Sequence, residues 1–234
     1  MGGYRWKTLV FYGILTFLTL IAIILMVTVN SKTRFAVELI EMQVDVILDA
    51  GHGGMDGGAV SADGVCEAPI TLAIAQKCQT LFAFCGKSAL MTRTDQGSLD
   101  YREDASARQN KNADLHARLE IARQYPDCPF LSIHLNQFSQ SKYAGAQAFY
   151  GAAGEQLARA MQEALRAVAD PKNERVCKPA PDGVFLMKNI QSPAVTIECG
   201  FLSNPEECAK LQQDDYQTKL ALAIVSGYER YIRG

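Results

Sequence analysis

The chain has 234 residues, of which 48% are hydrophobic and 21% charged, so disorder, collagen-like repeats and a small disulfide scaffold are excluded. Residues 41–234 alone contain 19 basic and 24 acidic side chains, which gives a formal charge of -5. This mild acidity without a Lys/Arg cluster argues against a nucleic-acid partner, and 194 residues suit one domain with a full hydrophobic core.

The first predicted element is an apolar segment near the amino terminus. Residues 9–29 carry no charge and would be about 31 Å long as a helix, enough to cross a bilayer. Because Arg5 and Lys7 precede it, we expect the tail to stay cytoplasmic and the rest of the chain to lie outside. We therefore predict a membrane signal-anchor and linker in residues 1–40 and a folded domain in 41–234. A cleaved signal peptide, which would release the domain, is the alternative.

Seven cysteines are present, and none forms a C-x-x-C pair, so neither a zinc ribbon nor a thioredoxin-like motif is indicated. In an exported domain they allow at most three intrachain disulfides, and their spacing does not determine a pairing. Cys78 lies on the apolar face of a predicted helix and is expected to pack as a small hydrophobic residue.

Short apolar strands alternate with longer amphipathic helices in the rest of the chain. Strands are predicted at 44–48, 88–92, 130–134, 146–150 and 194–198. Helices are predicted at 67–84, after a cap at Asp114, at 154–168, and at the end of the chain from about 216 to 231. The alternation predicts an α/β three-layer sandwich with a mainly parallel sheet and helices on both faces, preceded by one membrane helix.

Four residues with metal-binding or proton-transfer chemistry lie at the ends of these elements. His52 follows the first strand, His134 ends the third, and Glu198 ends the last. Glu67 begins the first long helix. In open sheets ligands bind beyond the carboxyl ends of the strands, so these side chains are expected to meet there. Two imidazoles and a carboxylate are typical ligands of a catalytic zinc, and a second carboxylate suits proton transfer in amide hydrolysis.

Each of these signals has a structural alternative when taken singly. A histidine at a strand end is commonly a hydrogen-bonded structural residue, and a glutamate at a helix start is commonly a cap. The combination is stronger because the chain has three histidines and two of them fall at strand ends. The third, His116, has charged neighbours and is predicted to lie on the surface. Asp49 and Asp56 flank His52 and are predicted at most to support the ligands.

Four stretches of sequence together resemble a known family: ILDAGHGGMDGGAV, CEAPITLAIA, FLSIHLNQF and PAVTIECGFLSNPEE. Over residues 44–231 the chain resembles the zinc-dependent N-acetylmuramoyl-L-alanine amidases of the third amidase type. The resemblance implies that His52, Glu67 and His134 bind zinc (Zn²⁺). It implies that Glu198 is the catalytic acid/base, and that the reaction cleaves the amide between N-acetylmuramic acid and L-alanine in peptidoglycan. The family fold is an α/β sandwich, as the pattern predicts.

The resemblance also yields finer expectations. Asn136 is a candidate for substrate binding, with ligand orientation as the alternative. Arg118 matches an arginine that the family usually has and is a second candidate for substrate binding, with a surface salt bridge as its alternative. Because no wall-binding repeat is recognisable, the chain is similar to the subgroup that acts on spore cortex. Some members require an activating lipoprotein, which is therefore a candidate partner alongside peptidoglycan and the membrane.

The sequence is also compatible with two other functions. The first is a zinc peptidase that uses the same ligands to cut within stem peptides. The second is a membrane-tethered module that binds the cell wall without cutting it. The presence of all four residues favours an enzyme over the binding module.

Overall fold

The structure, a computed structural model, describes residues 18–26 and 44–234. Residues 18–26 are helical (α1), with exposed side chains. Within these two ranges, no helix is both long and apolar enough to span a bilayer. Most of the predicted segment 9–29, the linker and the domain start at residue 41 lie outside the described residues, so the membrane anchor stays a prediction. Residues 44–234 belong to a compact unit of their own.

A six-stranded sheet forms the centre of this unit. Its strands are β1 Val46–Ala50, β2 Ala89–Met91, β3 Phe130–Asn136, β4 Gln147–Tyr150, β5 Lys178–Pro179 and β6 Ala194–Phe201. Their order is β2-β1-β3-β6-β4-β5. Neighbours are parallel except β4 and β6, which are antiparallel. The mainly parallel sheet predicted from the sequence is therefore confirmed.

Helices cover both faces of the sheet. They are α2 Glu67–Phe84, α3 Ala107–Gln124, α4 Glu155–Ala164, α5 Phe185–Asn189, α6 Pro205–Leu211 and α7 Asp214–Ile232, and a π-helical turn, Leu165–Ala169, continues α4. Val46 and Leu48 of β1 pack with α2, α4 and α7, whereas Ile47 packs with α3 and α5. Successive side chains of a strand point to opposite faces, so β1 contributes to two separate cores. Because both faces are covered, β1 is completely buried.

The start of α3 differs from the prediction that Asp114 caps it. The helix begins at Ala107, and the Oγ of Ser106 accepts a hydrogen bond from the backbone N–H of Gln109. In return, the side-chain oxygen of Gln109 accepts one from the backbone N–H of Ser106 at 2.9 Å. This reciprocal capping box satisfies two donors at the helix end. The prediction for Asp114 was wrong, because its carboxylate lies inside the helix and binds Leu99 N–H and Arg118.

All seven cysteines are unpaired thiols. Cys78 is completely buried beside Phe82, which confirms its predicted role as a small hydrophobic residue. The domain is therefore held by its two hydrophobic cores and its hydrogen bonds, without disulfides.

Candidate metal centre

The loop after β1 aims the side chain of His52. His52 has φ +62°, a left-handed conformation that residues other than glycine seldom adopt. Two backbone hydrogen bonds between Gly53 and Asp56, of 2.9 and 3.1 Å, close the loop around it. The carbonyl of His52 accepts a hydrogen bond of 2.6 Å from Nη2 of Arg118. These contacts hold a strained backbone conformation, as is common at functional sites.

The three predicted metal ligands converge although up to 82 positions of the sequence separate them. Oε2 of Glu67 lies 3.2 Å from Nε2 of His52, and Oε1 of Glu67 lies 2.9 Å from Nδ1 of His134. The two imidazole rings are 4.9 Å apart at an angle of 79°. One ligand atom from each side chain can be chosen so that all three lie within 4.8 Å of one another. The spacing and the donor types fit a single metal ion.

Glu67 is buried but remains a strong acceptor. Its carboxylate also accepts hydrogen bonds of 2.8 Å from the backbone N–H groups of Ala59 and Leu135. Burial alone would raise the pKa of Glu67, but hydrogen bonds and charge interactions with His134 and His52 hold that pKa well below its usual value. The carboxylate is therefore ionised at neutral pH and favours a cation between the rings.

A second carboxylate supports His52 from the other side of its ring. Oδ2 of Asp56 lies 3.0 Å from Nδ1 of His52 and 3.1 Å from Nζ of Lys111. Burial lowers the pKa of His52, but Asp56 and Glu67 more than offset this and raise it to about 9 in the protein without metal. A divalent cation would have to displace that proton, so binding is expected to weaken as the pH falls. Asp56 thus lies against the ring of His52, and its role in supporting a metal ligand stays a prediction.

Two glycines leave room for the ligands. A Cβ atom on Gly51 would lie 2.4 Å from Cε1 of His134. A Cβ atom on Gly58 would lie 2.5 Å from Oε2 of Glu67 and 2.7 Å from Cδ2 of His52, and Gly58 also has φ +72°. A side chain at either position would push a ligand out of place.

Glu198 lies on β6 directly beside His134 of β3 in the parallel register. Its Oε2 atom is buried and has no hydrogen-bond partner within the described part of the chain. Burial raises the pKa of Glu198 to about 7; Glu67 adds to the increase, and His134 opposes it. A carboxyl group that titrates near neutral pH can both accept and release a proton, as an acid/base catalyst must. The unpartnered oxygen is consistent with a group that acts on a ligand.

Arg118 lies inside the fold. Its side chain is 2% exposed, so the surface salt bridge is wrong, and its role in substrate binding stays a prediction. Nη1 donates to Asp49 at 2.6 Å, and Nε donates to Asp114 at 2.7 Å. Asp49 is buried and also accepts hydrogen bonds from Thr92 and Ser132. The arginine supports the loop of His52 from inside the fold.

Replacing Arg118 with methionine should therefore destabilise the domain. Removing one partner of a buried ion pair leaves Asp49 uncompensated, which typically costs about 3–5 kcal/mol. Denaturant unfolding measures the change in the free energy of unfolding. Arg159→Met is the matched control, because Arg159 pairs with Glu155 on the surface of α4. Equal and small effects of the two substitutions would contradict the structural role of Arg118.

Asn136 and His116 are the other two residues for which the sequence predicted a position or a role. Asn136 ends β3, and its side-chain oxygen accepts the N–H of Gln137, so its role in binding stays a prediction. His116 is exposed on α3, which confirms its predicted surface position.

Arg93 is a functional residue that the sequence did not identify. Its Nη2 donates to the carbonyls of Gly51 and Ala68 at 2.9 Å and thereby joins the loop to α2. Its partners lie 25 and 42 residues away, so no local signal identifies it.

Comparison with known proteins identifies similar sequences and folds. A family model described as N-acetylmuramoyl-L-alanine amidase matches residues 46–230. Over 189 residues the chain is 34% identical to the germination-specific N-acetylmuramoyl-L-alanine amidase of Bacillus subtilis (strain 168), with 80% of this chain and 78% of that protein covered.

Solved structures give the same result. The CwlD amidase from Clostridioides difficile, in complex with the GerS lipoprotein, is 43% identical with a TM-score of 0.78. The match covers 82% of this chain and 99% of that one. The catalytic domain of CwlV, an N-acetylmuramoyl-L-alanine amidase from Bacillus (Paenibacillus) polymyxa var. colistinus, is 26% identical with a TM-score of 0.68, and 82% of this chain and 99% of that one are covered.

Proposed function

Because the chain belongs to the N-acetylmuramoyl-L-alanine amidase family, we propose that His52, Glu67 and His134 hold a zinc ion and that Glu198 transfers protons. The enzyme hydrolyses the amide bond between N-acetylmuramic acid and L-alanine in peptidoglycan. The proposed roles rest on one observation: three ligand atoms lie within 4.8 Å of one another. Glu198, whose Oε2 atom has no hydrogen-bond partner within the described residues, lies beside His134 on the neighbouring strand.

The side chains suit this reaction. Two imidazoles and one carboxylate are a common ligand set for catalytic zinc, and when bound the ion supplies a Lewis acid for the amide carbonyl. Oε2 of Glu198 accepts a proton from the attacking water and later delivers one to the departing amine of L-alanine. Arg118 holds the backbone carbonyl of His52, and Asp56 lies against its ring, so both keep this ligand in place.

Spore cortex is the proposed form of the substrate. The Bacillus subtilis relative is named germination-specific, and the similar CwlD structure contains the GerS lipoprotein. A lipoprotein is accordingly the proposed partner of this chain. The uncharged segment 9–29 supports anchoring in a membrane, with the catalytic domain on the extracytoplasmic side. Comparing product release from cortex and from vegetative-wall peptidoglycan tests the choice of substrate.

Incubating the full chain with peptidoglycan and zinc should release stem peptides that begin with a free L-alanine amino group. Amino-terminal labelling followed by mass spectrometry identifies these products, and added chelator is expected to stop their release. Products cut only within the stem peptide would indicate a peptidase instead. Binding without any product would support the wall-binding module.

A further inference from the structure

An exposed aromatic side chain lies at the same edge of the sheet as the proposed catalytic residues. Phe138 is 48% exposed and follows β3, the strand that carries His134. Its backbone N–H donates to Oγ of Ser203, in the segment that follows β6 and Glu198. The neighbouring Gln137 donates through Nε2 to the carbonyl of Val60, in the loop that carries His52. Phe138 and its neighbour Gln137 therefore contact two other segments of the site, those that follow β6 and β1.

The ring of Phe138 is held in a fixed position. It packs edge-on against Tyr143, with ring centroids 5.0 Å apart, and at a tilt against the buried Phe201, at 5.3 Å. The guanidinium of Arg175 covers the ring of Phe201 at 4.5 Å. Nε of Arg175 also donates to the carbonyl of Ala144 at 2.6 Å, which ties down the loop after Phe138. A fixed ring loses little conformational entropy when a ligand packs on it.

An open surface cavity of about 430 Å³ adjoins this ring cluster and shares Tyr143 with it. Its charged side chains are Lys142, Asp170, Lys172, Glu174 and Arg175. Positive and negative charges nearly balance, and Arg175 is already engaged by Ala144, Gln147 and Phe201. The cavity therefore suits an uncharged polar ligand better than an acidic peptide.

We infer that Phe138, Tyr143 and the adjoining cavity form a binding subsite for the N-acetylated sugars of the glycan strand. A sugar ring presents an apolar C–H face that packs on an aromatic ring, while its hydroxyl and acetamido groups need polar partners at the side. The subsite supplies both at the same edge of the sheet as the proposed metal ligands. The inference rests on the proposed amidase function, in which the acyl side of the cleaved bond belongs to a sugar.

Glycan strands from which the stem peptides have been removed are a suitable probe, because they lack the cleavable amide. The full chain should bind these strands, and Phe138→Ala should weaken binding by roughly three- to tenfold. Phe138→Tyr keeps the ring and should retain the affinity, whereas Phe138→Leu should behave like the alanine variant. On intact peptidoglycan, Phe138→Ala should raise KM more than it lowers kcat.

Phe84→Ala is the matched control. Phe84 is 85% exposed but ends α2, away from the segments that follow β1, β3 and β6. Unchanged glycan binding by Phe138→Ala would overturn the inference, and so would an equal loss with Phe84→Ala. If Phe138→Ala weakened the binding of free stem peptide but not that of glycan, the surface would be assigned to the peptide instead. The amidase proposal is tested separately, by the release of peptides that begin with L-alanine from peptidoglycan by the unsubstituted chain. Its failure can therefore be distinguished from failure of the subsite inference.

Discussion

Replacing Glu198 with glutamine should lower kcat for stem-peptide release by roughly 10²–10⁴-fold while the zinc content stays unchanged. Glutamine has nearly the same shape, but its amide cannot accept and return a proton. The effect should be large because Oε2 of Glu198 is buried, has no hydrogen-bond partner in residues 18–26 and 44–234, and belongs to a carboxyl whose pKa burial raises to about 7. Product release and metal content are measured on the same preparation.

The matched control is Glu206→Gln, an exposed substitution in the first turn of α6. It should leave both kcat and zinc content as they are. If zinc content fell together with activity in Glu198→Gln, Glu198 would be a metal ligand. An unchanged kcat would remove Glu198 from the proton transfer altogether.

Replacing His134 with alanine should reduce bound zinc well below one ion per chain and abolish amidase activity with it. The substitution removes one of three protein ligands, and it also removes the partner 2.9 Å from Oε1 of Glu67. Metal analysis after dialysis against a weak chelator measures the loss directly, without reference to turnover.

His116→Ala is the control for this substitution, because His116 is an exposed histidine on α3 that contacts the ring of Phe185. It should retain zinc and activity. A His134→Ala protein that remained fully loaded would contradict the proposed ligand set. Thermal unfolding of both variants distinguishes loss of the metal from loss of the fold.

The sequence predicted the positions of the metal-binding candidates because their signals are local. Short apolar strands were predicted to end shortly before His52 and at His134 and Glu198, and parallel strands place such ends at one edge of the sheet. In the fold β3 and β6 continue to Asn136 and Phe201, but the residues still lie toward that edge. The start of α3 was also available locally, since Ser106 and Gln109 have the spacing of a capping box. Asp114 lacks this spacing and lies inside the helix.

Other features depend on contacts that no local pattern encodes. Arg118 is buried because Asp49, 69 positions earlier, accepts its charge. The segment of β4 is recognisable as a strand, but its antiparallel direction is set by pairing with β6, where Gln147 lies opposite Glu198. Each of these depends on residues that come together only in the folded chain.

The two glycines of the metal centre constrain the chain in different ways. Gly58 needs both a left-handed backbone and an absent side chain, whereas Gly51 needs only the absent side chain, because its Cβ would overlap the ring of His134. Replacement of Gly51 by alanine would therefore suit the backbone conformation. It would, however, displace the imidazole ring of His134. A natural variant with this change is expected to fold with the same thermal stability but to lack activity. Measurements of stability alone would therefore not detect the defect.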